Sequence, residues 1–85
     1  MNDINWYALA RAIAETVQEA TKPLTEWDIY KAVCAKIGDQ PKPGPFDEWI
    51  ESFVRTGIIA SEAEKFKSTD LTRRYIRGCE IRGSK

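Results

Sequence analysis

The strongest constraint on this chain of 85 residues is the run from Pro45 to Thr56. Phe46, Trp49, Ile50, Phe53 and Val54 fall at i, i+3, i+4, i+7 and i+8, a spacing that puts five large apolar groups on one helical stripe. Pro45 suits the first helical position, where its missing N–H would have no intrahelical partner. Asp47 and Glu48 then place negative charge in the first turn, where the helix dipole favours it. Gly57 offers a left-handed cap, and Ile58-Ile59 leads the chain away. A helix of this kind must bury one face against other elements, which leaves its polar face for function.

Two earlier helices are expected to supply the covering surface. The first runs from about residue 4, capped by Asn2 or Asp3, to about Thr21. Trp6, Leu9, Ala10, Ile13, Val17 and Ala20 form its stripe, Arg11, Glu15, Gln18 and Glu19 lie opposite, and Tyr7 sits at the rim. Lys22-Pro23 closes it, because a residue before proline resists the α region. The second helix spans 26–37: Thr25 and Asp28 approximate a capping box, and Leu24 and Ile29 are spaced as a hydrophobic staple. Ile29, Tyr30, Val33, Cys34 and Ile37 make its apolar face, with Trp27 at the edge. Residues 38–44, Gly-Asp-Gln-Pro-Lys-Pro-Gly, read as a rigid turn. The expected core is Trp6, Leu9, Ile13, Val17, Ile29, Val33, Ile37, Trp49, Ile50 and Phe53.

Beyond Gly57 the pattern changes. Ile58-Ile59-Ala60 reads as a short strand, and Arg73 to Arg77 as its returning partner, because an unpaired strand leaves backbone groups unsatisfied. The rival reading makes Ser68 or Thr69 the cap of a short fourth helix ending at Gly78. The whole chain then forms a single, mainly α domain: helices near 4–21, 26–37 and 45–56, followed by a hairpin over about 58–82.

Formal charge is zero, which argues against a simple polyanion coat or a polybasic membrane binder. The balance is uneven along the chain: residues 1–60 carry six Lys/Arg against nine Asp/Glu, residues 61–85 seven against four. Cys34 and Cys79 lack metal-site spacing, and the chain has no histidine to complete a site or to activate a thiol. They read as reduced thiols of a cytoplasmic protein. No apolar run is long enough for a membrane span. No glycine-rich phosphate loop or nucleophile–base pair is visible, so neither an enzyme nor a cofactor is expected.

Three helices followed by a basic hairpin resemble the winged helix-turn-helix family in element order and apolar spacing. The resemblance implies DNA binding, with the third helix in the major groove and the hairpin, or wing, on the neighbouring backbone; members also serve as protein-interaction modules. Lys65, Lys67, Arg73, Arg74, Tyr75, Arg77 and Arg82 make the C-terminal stretch the candidate DNA contact. The outer face of the third helix presents Asp47, Glu48 and Glu51 with Arg55, an unfavourable set for phosphates. Two functions are therefore expected. One is a compact DNA-binding regulator of the phage or plasmid kind, leaning on its basic wing. The other is a module that docks a basic protein surface through Trp27, Asp47, Glu48, Glu51 and Arg55, a bipolar pattern that also suits a homodimer or head-to-tail self-association.

Overall fold

The computed structural model describes residues 6–38 and 40–83, with side chains described over 8–38 and 40–78. Its elements in chain order are α1 (Trp6–Glu19), α2 (Glu26–Ile37), α3 (Pro43–Thr56), β1 (Ile59–Glu62), β2 (Lys65–Ser68) and α4 (Asp70–Gly83). The protein is mostly helical with one small antiparallel hairpin, an order compatible with a winged-helix layout. It has four helices where the sequence reading gives three.

α1 is the centre of the packing. Leu9, Ala10, Ala12, Ile13, Ala14, Thr16 and Val17 are all buried, more of the helix than a single stripe accounts for. The reason is that α2 and α4 pack against it from different sides. Small residues at 10, 12 and 14 let those neighbours approach, and the Thr16 hydroxyl donates to the Ala12 carbonyl at 2.7 Å. Arg11 and Glu15 pair at 2.9 Å along the more open side. α1 stops at Glu19, short of Thr21. The side chains of Trp6 and Tyr7, and residues 2 and 3, lie outside the described residues.

The start of α2 matches its sequence signal. The Asp28 N–H donates to the Thr25 hydroxyl at 3.1 Å, and the Thr25 N–H donates to the Asp28 carboxylate at 3.3 Å. Those bonds hold the Asp28 carboxyl below its ordinary range. Gly38 ends the helix at φ 73°, with its N–H on the Cys34 carbonyl.

α3 begins two residues earlier than expected, with Pro43 rather than Pro45 at the first helical position. Asp47 and Glu48 therefore sit beyond the first turn and gain less from the dipole than the sequence reading implies. The apolar stripe behaves as read: Phe46, Ile50 and Phe53 are buried, while Trp49 and Val54 are half-buried against the core. Ile37 is likewise half-buried, and Ile59 joins the buried set.

The returning strand is residues 65–68, and the expectation of a strand over 73–77 is overturned. Ile59 faces Ser68, Ala60 faces Lys67, Ser61 faces Phe66 and Glu62 faces Lys65. β2 alternates as a half-buried strand should, with Phe66 turned to the core and Lys65 and Lys67 to solvent. Phe66 also exchanges both backbone hydrogen bonds with Leu24, at 2.9 and 2.7 Å, tying the α1–α2 connection to the hairpin. The partner that β1 requires is thus its nearest neighbour in sequence.

The segment after β2 is helical because Thr69 caps it and its inward residues recur at helical spacing. The Thr69 hydroxyl accepts from the Leu71 N–H at 3.1 Å and donates to the Gly57 carbonyl at 2.7 Å. Thr72 is fully buried, with its hydroxyl donating to the Ile58 carbonyl and accepting from the Thr69 N–H at 2.8 Å. Tyr75 meets Phe53 edge-on at 5.0 Å. This is the rival helix of the sequence reading, extended past Gly78 to Gly83.

Candidate functional site

Where α2 and α3 begin, their outer surfaces enclose a groove lined by Glu26, Trp27, Tyr30, Pro43, Phe46 and Asp47. Its aromatic wall is ordered by three contacts. Trp27 stacks on Tyr30 with centroids 5.7 Å apart and planes 15° from parallel. Tyr30 meets Phe46 edge-on at 5.1 Å, and its hydroxyl donates to the Pro41 carbonyl at 2.9 Å. Tyr30 thus locks the connection before α3 to α2 and supports Trp27 from behind. Trp27 itself is 63 % exposed, too much for a ring serving only the core. The Lys31 ammonium lies 5.9 Å from its centroid, so the exposed ring already attracts a cation.

Two carboxylates form the opposite wall. A hydrogen bond between Glu26 and Asp47, then partial burial and the like charge of Asp47, push Glu26 from an ordinary 4.5 up to about 7. The pair holds a proton near neutrality because both groups cannot ionise cheaply side by side. The chemistry that fits them is recognition of a cation: a guanidinium or ammonium arriving between them replaces the shared proton. Asp47 continues into a second depression that holds Glu51, Val54, Arg55 and Phe66, so the acidic surface runs along α3 toward the hairpin.

The expected basic wing is divided differently. In the hairpin Lys67 pairs with Glu62 at 3.3 Å, and Glu64 sits in the turn before Lys65, so the strands carry no local excess of positive charge. Arg73, Arg74 and Arg77 are exposed on α4. They line a depression with Gln18, Ser68, Thr69 and Asp70. None of the three arginines has an ion pair among the described residues. Tyr75 points inward to Phe53 and belongs to the packing. The Arg82 side chain lies outside the described residues.

Of the residues expected to take a basic partner, Trp27 and Asp47 come together in the groove, and Glu51 and Arg55 adjoin it. Glu48 is exposed on α3 and lines neither depression. Glu26 is the member that sequence reasoning misses, since only the meeting of α2 and α3 brings it to Asp47. Cys34 is a half-buried free thiol beside the core, and the Cys79 side chain lies outside the described residues. No helix among the described residues is long and apolar enough to cross a membrane. No family model, curated protein or solved structure matches the chain.

Proposed function

We propose that this domain is a protein-interaction module with a winged-helix-like body, which seats a basic segment of a partner protein in the groove between α2 and α3. The observation that carries the reading is the Glu26–Asp47 pair beside an exposed Trp27. A winged helix bound to DNA would turn α3 toward phosphates, and here that surface carries Asp47, Glu48 and Glu51. The same charges attract lysine and arginine, and an exposed tryptophan with a supporting Tyr–Phe stack supplies the anchor common to interaction hot spots. Bridging of Leu24 to Phe66 adds to the winged-helix likeness, since it joins the first inter-helix connection to the hairpin.

A second reading keeps DNA as the ligand, and the three arginines of α4 favour it. In that case contact runs through Arg73, Arg74 and Arg77 of α4 with Ser68 and Thr69 at the end of the hairpin, rather than through Lys65 and Lys67. One pair of variants separates the readings. Asp47→Lys with Glu51→Lys should abolish binding of a labelled Arg/Leu-alternating peptide, measured by anisotropy, and leave duplex binding unchanged or stronger. Arg73→Ala with Arg77→Ala should do the reverse if DNA is the ligand, with affinity for mixed-sequence duplex falling steeply as salt rises. Retention of peptide binding in the Lys variant would remove the interaction reading.

A further inference from the structure

Among the described residues two large hydrophobic side chains stand exposed, Trp27 at 63 % and Leu71 at 39 %. Their surroundings are electrostatic opposites. Trp27 shares its groove with Glu26 and Asp47. Leu71 stands on α4 three residues before Arg74, with Gly78 four further on, so the three fall on one helical stripe. Among the described residues nothing in the packing accounts for that glycine: a Cβ there would meet no atom within 4 Å, and glycine weakens a helix interior. Its effect is to leave α4 flat beside Arg74, where another surface can approach closely.

We propose that the occupant of the groove is a second copy of this chain, which lays α4 into it. The proposal rests on the reading of the groove as a docking site for a basic segment and names that segment. Leu71 and the flat stretch at Gly78 cover the Trp27 ring, while Arg74 and Arg77 reach Glu26 and Asp47. Charge and apolar surface match together: one exposed hydrophobe shares its groove with carboxylates, and the other shares a helical stripe with Arg74, which like Arg77 has no ion pair among the described residues. Guanidinium–carboxylate pairs are the geometry in which arginine outperforms lysine, and all three exposed cations on this part of α4 are arginines. The groove and the arginine depression share no lining residue. Each copy therefore offers both halves of the contact, and association is head-to-tail, continuing until a ring closes.

Sedimentation velocity of the full chain over a wide concentration range, at low and high salt, tests this. The wild-type chain should grow in mean mass with concentration at low salt, pass beyond two copies, and return toward monomer at high salt. Trp27→Ala, and separately Arg74→Ala with Arg77→Ala, should each weaken association about tenfold or more. An equimolar mixture of those two variants should form a one-to-one complex and stop there, because one supplies an intact α4 and the other an intact groove. Gly78→Ala should raise the melting temperature and yet weaken association, which a glycine of purely structural importance would not do. A wild-type chain that stays monomeric, a closed dimer that never exceeds two copies, or variants that fail to pair when mixed would each overturn the proposal. If the monomeric chain still binds the Arg/Leu peptide, self-association alone falls. If it binds neither, the docking reading falls with it.

Discussion

The groove at the head of α2 and α3 gathers like charges, whereas the outer face of α4 spreads them. In the groove, Glu26 and Asp47 come from different helices and meet, and the Asp47 carboxyl beside it raises Glu26 to about 7. On α4, Arg73, Arg74 and Arg77 stand exposed around one helix, beside Gln18, Ser68, Thr69 and Asp70. The first region stores an unfavourable contact that a cation relieves. The second is a solvated face available to any anion. A chain whose formal charge is zero thus separates its charges in space, and the acidic end is the one that joins an aromatic wall to its charge.

Both regions depend on Phe53, whose ring touches Trp49 at 5.5 Å on α3 and Tyr75 at 5.0 Å on α4. Phe53→Ala should cost roughly 3–5 kcal/mol, a large fraction of what a domain of this size has. In a urea titration both surfaces should be lost in one transition. A variant that melts like the parent would mean that the two regions do not share a core.

Thr72→Val attacks only the α4 side. It removes the hydroxyl that bridges the Ile58 carbonyl and the Thr69 N–H, at an expected cost of about 1–3 kcal/mol for the unsatisfied groups left behind. Binding at the groove should survive. Equal loss at both surfaces would show that the Thr72 bonds hold the whole core and not the α4 side alone.

Most of what places these surfaces is legible in the sequence. Thr25, Asp28 and Gly38 announce α2, the Phe46–Val54 stripe announces α3, and the helical spacing of Leu9, Ile13 and Val17 announces α1. The hairpin is not legible, because its turn lacks the residues that usually mark one. Ala63 and Glu64 both take positive φ, 54° and 63°, in a two-residue turn where asparagine and glycine are the ordinary choice. Without that signal the strand partner is sought too far along the chain, at Arg73–Arg77, and the true partner, Lys65–Ser68, is read as loop. The groove is half legible: Trp27 and Asp47 show themselves by exposure and charge, whereas Glu26 acquires its role only through contact between helices.

The same turn gives a prediction of opposite sign. Ala63→Asn with Glu64→Gly relieves two left-handed residues and should raise stability by about 1–2 kcal/mol in thermal melts. Because Ala63 and Glu64 line neither the aromatic groove nor the arginine depression, binding should not change. A destabilised variant would show that the turn is not of this type.

The smallest expected effect is the pH dependence of the carboxylate pair. Glu26 binds its proton more tightly in the folded chain than in the unfolded one, where it titrates near 4.5. Its contribution is therefore favourable at acidic pH, and stability falls as pH rises from about 4.5 through about 7. Solvent screening at this open site limits the loss to under about 1 kcal/mol. Glu26→Gln should flatten that part of the profile and make the protein slightly more stable than the parent at pH 8. A steeper fall in the variant would mean that the pair stabilises the fold instead of straining it.

The central claim is that the groove, and not α4, is the recognition surface for a partner's basic segment, and amide chemical-shift mapping tests it most directly. Titrating the Arg/Leu-alternating peptide into isotopically labelled protein, held monomeric by dilution and salt, should move the Glu26, Trp27, Tyr30, Phe46 and Asp47 signals together, with the Trp27 indole N–H among the largest shifts. The signals of residues 70–78 should stay in place. No localised shift with the peptide, together with shifts confined to residues 69–78 on adding duplex DNA, would contradict it.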